Sequence, residues 1–185
     1  MIYTVTLNPA IDLVVRLEGP LQADAVNRAA GGEDGLGGKG NKGSGGLAEL
    51  GCPSVALGFV AGETGAWLER GLAARGLRTD FIHLPAGMTR INLKLKDGQE
   101  TEINGTGPTV PPESMEALLR QLDALQPGYG LVLACSLPAG LSADTYETML
   151  ARLEGRGVQA GGDAAGPLLD KGLRDPPVFV KPHPQ

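Results

Sequence analysis

The sequence predicts an α/β fold built on a doubly wound, mainly parallel sheet. Short apolar runs bounded by turn residues, at 2–7, 55–60 and 131–134, read as strands buried on both faces. Amphipathic helical patterns alternate with them, the rhythm of such a sheet. Two other segments, 11–17 and 90–96, alternate apolar and polar residues with period two; they are strands covered on one face only and belong to a small separate sheet.

The first run ends at Asn8-Pro9, a strand-breaking dipeptide. Ile11, Leu13, Val15 and Leu17 then alternate with Asp12, Val14 and Arg16, and later Ile91, Leu93 and Leu95 alternate with Arg90, Asn92, Lys94 and Lys96. One helix is expected over 63–75. A second opens at Pro111-Pro112 and carries Met115, Leu118, Leu119, Leu122 and Leu125 on one stripe. A third starts from Ser142 as N-cap and turns Tyr146, Met149, Leu150 and Leu153 inward. A last short strand falls at 178–180, and the sequence reaches Gln185 without a closing helix.

With 185 residues, 42% of them hydrophobic, the chain can bury one sizeable core. A net charge of -5 without a dense Lys/Arg run or aromatic ladder argues against nucleic acid and anionic membrane as partners, and leaves a small anionic ligand bound by local charge. Cys52 and Cys135 match no metal-ligand spacing and read as buried free thiols. No basic leader precedes an apolar core at the start and no stretch is long enough to span a membrane, so the expected location is cytoplasmic.

Gly37-Gly38-Lys39-Gly40 is the most informative segment, because exposed N–H groups at a glycine turn that runs into a helix solvate phosphate oxygens. Nine glycines fall within residues 31–46, so chance matches to glycine motifs must be expected. Gly35, Gly37 and Gly40 satisfy G-x-G-x-x-G, but Gly31-Gly32-Glu33-Asp34 stands where a Rossmann fingerprint needs an apolar strand. A P-loop fails outright, with Gly40 in place of Ser or Thr and Glu33 in place of the first glycine. On composition alone a phosphate cradle and a flexible surface loop fit equally well.

Distant segments break that tie. TVTLNPAID, VNRA, GGKG, LGFV, TRINLKLK, TEINGTGP and SLPAG together resemble the ribokinase-like carbohydrate kinases, specifically the 1-phosphofructokinase and tagatose-6-phosphate kinase branch, over essentially the whole chain. The resemblance implies a ribokinase-like core at 1–10, 36–86 and 105–185 and a β lid at 11–35 and 87–104, with the fold's carboxyl-terminal part missing. It also implies ATP-dependent phosphorylation of fructose 1-phosphate to fructose 1,6-bisphosphate, with magnesium accompanying ATP and a homodimer formed through the lid.

Carried onto this sequence, the resemblance makes Asp12 an acceptor for sugar hydroxyls, where residue chemistry alone allows a turn-capping Asp. It brings Gly38, Lys39 and Gly40 to the sugar phosphate. Arg90 grips that phosphate, since a guanidinium can do so bidentately; pattern alone would equally give an exposed strand arginine. Ser136 lines the substrate pocket at the sheet's carboxyl edge. Asn92 and Asn104 are assigned polar contacts to substrate, and Lys181 lies near the nucleotide phosphates.

Several positions depart from the family pattern. Lys42 stands where the family carries an Asn, His183 replaces another Asn, and Gly43, Gly45 and Gly46 should fray the helix behind the cradle at about 1 kcal/mol each against Ala. The family's Gly-Ala-Gly-Asp segment, which holds the catalytic base, would fall beyond Gln185. The expected activity is therefore that of a kinase whose chemistry this chain does not complete, and the alternative is a sugar-phosphate-binding or dimerising fragment without catalysis. A chain lacking sheet strands would also be poorly soluble.

Overall fold

The computed structural model describes residues 1–36, 39–134 and 136–163. In chain order the elements are β1 (Ile2–Thr6), β2 (Ala10–Leu17), β3 (Ala29–Leu36), α1 (Lys39–Glu49), β4 (Ser54–Val60), α2 (Gly62–Ala74), β5 (Arg78–Thr79), β6 (Ile82–His83), β7 (Arg90–Lys96), β8 (Glu100–Asn104), α3 (Pro112–Asp123), β9 (Gly130–Ala134), α4 (Thr145–Ala151) and β10 (Gln159–Asp163). The main sheet runs β10-β9-β1-β4-β5, with β6 pairing farther along β4, and all its pairings are parallel. A second sheet runs β3-β2-β7-β8; its central pair is parallel and its two outer pairs are antiparallel. Among the described residues no helix is long and apolar enough to cross a membrane.

Alternation along the central strands divides the core in two. Val5 of β1 and Leu7 just after it side with Val55, Leu57, Phe59 and Leu131, and Leu118, Leu119, Leu122 and Met149 of α3 and α4 close over them. On the other face Ala56 and Val60 meet Leu68 and Leu72 of α2, and Ile11 and Leu36 from the second sheet join the same cluster. Helix α2 therefore packs against both sheets at once. Neither α2 nor α3 has a side-chain N-cap, a loss of about 1 kcal/mol each. Burying one leucine contributes about 1.5–3 kcal/mol, so packing rather than capping decides that these helices form. Arg156 closes the other end of α3, donating to the carbonyls of Leu122 (3.3 Å), Leu125 (3.1 Å) and Asp123.

Helix α1 runs unbroken through Gly43, Gly45 and Gly46, contrary to the fraying expected from propensity. Its anchors are polar. The hydroxyls of Thr4 and Ser44 form a buried hydrogen bond of 2.7 Å, and Asn41 and Ser44 are 2% and 1% exposed. Tertiary seating of this kind outweighs the intrinsic preference of the residues.

Two other expectations need correction, and two strands form without a signal of their own in the sequence. Residues 29–36, whose glycine-rich sequence carried no strand pattern, form β3, an outer strand bonded through its backbone to β2 and tied to it by an Arg16–Glu33 ion pair of 2.7 Å. The fourth helix starts at Thr145, and Asp144 rather than Ser142 occupies its N-cap; the Ser142 hydroxyl bonds the Asp144 carboxylate, and its carbonyl accepts the Thr145 N–H at 3.0 Å. Cys52 is half-buried rather than buried, because it lies in the turn that leaves α1. The strand β10, with two glycines among its five residues, carried no apolar signal. Cys135 and the strand expected at 178–180 lie outside the described residues.

Glycine positions separate necessity from tolerance. At Gly58, φ is +142° and a Cβ would stand 2.0 Å from the Thr6 carbonyl oxygen, whereas added Cβ atoms at Gly43, Gly45 and Gly46 would meet nothing within 4 Å. In urea unfolding, Gly58→Ala is expected to lose about 2–4 kcal/mol. The combined alanine variant of Gly43, Gly45 and Gly46 is expected to gain up to about 1 kcal/mol per site. A midpoint for Gly58→Ala equal to that of the unaltered chain would refute the close approach of β1 and β4.

Candidate functional site

The order of the main sheet places a crevice. From β1 the chain proceeds to β4 and β5 on one side, then returns to add β9 and β10 on the other. Where strand order reverses, the connections leave the carboxyl edge in opposite directions and open a cleft between neighbouring strands. Asn8 follows β1 and Ser136 follows β9, so these two residues flank the reversal. The second sheet starts at the same edge: β2 begins at Ala10, and β7 begins beside it at Arg90, its register partner.

Arg90 joins these segments. Its Nε donates to the Asn8 carbonyl (3.2 Å), Nη1 to the Gly105 carbonyl (3.4 Å, a long contact) and Nη2 to the Ser136 hydroxyl (3.0 Å). A guanidinium has five N–H groups; among the described residues, these partners leave one N–H on each terminal nitrogen. Burial pushes the Arg90 guanidinium below its ordinary value, and the nearby Asp12 carboxylate opposes that shift. The group remains a cation, and a guanidinium is a group that suits a phosphate or carboxylate.

The strand register extends one polar face from this point. Asp12, Asn92 and Asn104 lie side by side on β2, β7 and β8, one rung beyond Arg90. Asn92 Nδ2 donates to Asp12 Oδ1 at 3.0 Å, which turns the carboxylate toward the strand that carries Arg90. Asp12 is only 9% exposed. A rung further, Lys94 and Glu102 pair at 2.7 Å; that hydrogen bond raises the lysine and lowers the carboxyl relative to their ordinary values. The face thus offers cations and amide donors beside one buried carboxylate, a set able to take an anion at one end and hydroxyl groups at the other.

Of the residues singled out from sequence, Asp12, Arg90, Asn92 and Ser136 come together at the crevice, and Asn104 stands at the margin, exposed and opposite Asn92. Lys39 and Gly40 open α1, where first-turn N–H groups lack partners within the helix; the helix begins just after β3, whose Gly35 lies opposite Asp12. Gly38 and Lys181 lie outside the described residues. Among the described residues no group of three or more His, Cys, Asp or Glu side chains is placed to hold a metal ion.

Sequence reasoning missed the residues that hold Arg90 by main-chain atoms. Asn8 was read only as the end of a strand, yet its carbonyl accepts from Arg90 and its side-chain amide donates to the Thr106 carbonyl at 3.1 Å. Gly107, at φ +82°, passes so close that a Cβ would stand 2.3 Å from Asn8 Oδ1. The signal that could have found them was the presence of Asn8, Gly105 and Gly107 inside the two motifs already noticed.

Comparison with known proteins identifies the family. The family model described as pfkB family carbohydrate kinase matches residues 5–171. The chain is 41% identical over 183 residues to the 1-phosphofructokinase of Bacillus subtilis (strain 168), covering 99% of this chain and 60% of that protein. It is 32% identical over 185 residues to the D-tagatose-1-phosphate kinase of Bacillus licheniformis, again covering 60% of the relative. A candidate phosphofructokinase from Staphylococcus aureus superposes with a TM-score of 0.89 at 36% identity, covering 98% of this chain and 59% of that one. The tetrameric inhibited form of phosphofructokinase-2 from Escherichia coli, at 24% identity and a TM-score of 0.87 over 98% of this chain and 60% of that one, speaks for the fold alone. The chain spans about 60% of the length of the curated relatives it matches. With that family model matched over most of its length, on a ribokinase-like sheet whose strand reversal gathers Asp12, Arg90 and Ser136, this chain belongs to the pfkB family of carbohydrate kinases.

Proposed function

We propose that the chain forms the sugar-phosphate site of an ATP-dependent kinase that converts fructose 1-phosphate to fructose 1,6-bisphosphate. The observation that carries this reading is the Arg90 guanidinium, half-buried at the strand reversal, with a free N–H on each terminal nitrogen among the described residues. In this reading Arg90 anchors the 1-phosphate, Ser136 and the start of α1 (Lys39, Gly40, with Gly38 before them) complete its surroundings, and Asp12, set by Asn92, accepts from the sugar hydroxyls. Asn104 contributes a polar contact at the rim. The 1-phosphoketose class is supported by the names of two relatives, a 1-phosphofructokinase and a D-tagatose-1-phosphate kinase.

Phosphoryl transfer depends chiefly on positioning and on charge neutralisation. Holding C1 by its phosphate and the ring by its hydroxyls presents the 6-hydroxyl at the far end. That oxygen bonds the γ-phosphorus of ATP, the bond to ADP breaks, and the hydroxyl proton passes to a base. The donor is ATP with magnesium, as the family resemblance implies, with Lys181 near its phosphates. The second sheet, residues 11–35 and 87–104, acts as a lid that excludes water from the transfer.

Arg90→Ala is expected to weaken fructose 1-phosphate binding by about 10- to 100-fold, the loss of charge-assisted hydrogen bonds, and to leave binding of unphosphorylated fructose within about twofold. Isothermal titration of both ligands checks this, and equal losses for the two would overturn the phosphate assignment. The competing reading is a chain that binds sugar phosphate, or dimerises, without chemistry. ADP release that requires both ATP and fructose 1-phosphate would remove it; saturable sugar-phosphate binding without ADP release would favour it.

The lid also suits a homodimer. Its face opposite Asp12 carries Val15, Leu93 and Leu95, with Ile91 and Ile103 exposed at 37% and 56%, while Leu13 on the same face packs against the core shared with α2. Apolar area of this kind on a sheet face marks an association surface. Ile103→Glu is expected to convert a dimer to monomers in sedimentation velocity, and an unaltered monomer in both proteins would rule out pairing through this face.

A further inference from the structure

Thr89 immediately precedes Arg90, lies outside any strand, and is 2% exposed. All of its polar heavy atoms are bonded to one place, the junction where β4 ends and α2 begins. Its N–H donates to the Ala61 carbonyl (2.9 Å) and its hydroxyl oxygen accepts the Ala61 N–H (2.9 Å). Its carbonyl accepts from the Thr64 hydroxyl at 2.8 Å. Glycines make room for the joint: a Cβ at Gly65 would stand 3.0 Å from Thr89 Oγ1, and one at Gly62, φ +60°, would stand 2.9 Å from the Gly87 carbonyl oxygen. Ala61 is the N-cap residue of α2 and offers no capping side chain, so Thr89 supplies a hydroxyl to that helix end from 28 residues away.

The joint bears on the site through the next residue. Arg90 pairs with Ala10 on one side, and its backbone position is fixed on the other by three hydrogen bonds through Thr89. Its side chain then has to reach Asn8, Gly105 and Ser136 together. A long side chain meets three acceptors at once only if its root does not move, since displacements near 1 Å weaken such constellations by about 100-fold.

We propose that Thr89 is a positioning residue for Arg90: by tying the start of β7 to the β4–α2 junction, it holds the guanidinium at the strand reversal and so sets affinity for the phosphorylated sugar without touching it. This rests on the reading of Arg90 as the phosphate anchor.

The test compares Thr89→Val, which removes the hydroxyl, with Thr89→Ser, which keeps it, and with Thr64→Val, which removes a single bond of the joint. Two quantities are measured on the intact chain: solvent exchange of the Arg90 Nε–H by NMR, and binding of fructose 1-phosphate and fructose by calorimetry. Thr89→Val is expected to speed Nε–H exchange about tenfold and to weaken fructose 1-phosphate about tenfold, with fructose within about twofold. Thr89→Ser should restore both to within about twofold, and Thr64→Val should show about a threefold effect on each. Nε–H exchange within twofold of the unaltered chain in Thr89→Val, or a Thr89→Ser variant as impaired as Thr89→Val, would overturn the proposal. Should Thr89→Val not fold, Thr64→Val decides by the same two quantities. If the unaltered chain binds no fructose 1-phosphate, the phosphate reading fails, and the exchange rates alone then sustain or overturn the positioning role.

Discussion

A guanidinium cannot shed its charge to escape burial, so a half-buried arginine must be met by acceptors. Much of the carboxyl edge of this protein is arranged around that constraint at Arg90. Its acceptors come from the ends of β1 and β8 and from the segment after β9, which fixes where three separate stretches of chain must pass. Gly105 lies so close that a Cβ would stand 2.8 Å from the Ile91 carbonyl oxygen and 3.2 Å from Arg90 Cβ. Gly107 fits against Asn8 in the same way. The glycines of the TEINGTGP segment are thus consequences of how one cation is packed.

The rest of the architecture supplies a rigid frame for that arrangement. One core lies between the main sheet and α3 and α4, and the other is shared by the two sheets through α2. Because Ile11 and Leu36 are buried in the second cluster, the base of the small sheet is fixed to the large one. Beyond that base its two faces differ, one carrying Arg90, Asn92 and Lys94 and the other Leu93 and Leu95. On that polar face Lys94 pairs with Glu102 and Lys96 with Glu100, whereas the hydrogen-bond acceptors of Arg90 are carbonyls and a hydroxyl.

Elements whose stability comes from their own side chains were legible in the sequence. Continuous apolar runs gave β1, β4 and β9, and period-two alternation gave β2 and β7, within a residue or two of their observed limits. Those that depend on partners were not. The outer strand β3 contains three glycines and is held by main-chain bonds to β2, so no pattern of its own marks it. Helix α1 looked too rich in glycine, because the buried Thr4–Ser44 bond that seats it joins residues 40 apart. At the site, Asp12, Arg90 and Ser136 were singled out through the family resemblance, since residue chemistry alone left a turn-capping Asp and an exposed strand arginine equally open. Backbone acceptors at Asn8 and Gly105 have no residue signature, and Thr89 looks like any other threonine until its partners are seen.

The parallel pairing of β2 with β7 has one more consequence. Both strands leave the main sheet at neighbouring points, Ala10 and Arg90, and run outward together to Arg16 and Lys96. Within one chain, and among the described residues, the small sheet is therefore a cantilever, clamped at one end by the shared core. A lever of this shape is stiffest at its root, so on the proposed reading the phosphate anchor Arg90 lies where bending of the small sheet would displace it least, and the Lys96 end where bending would displace it most.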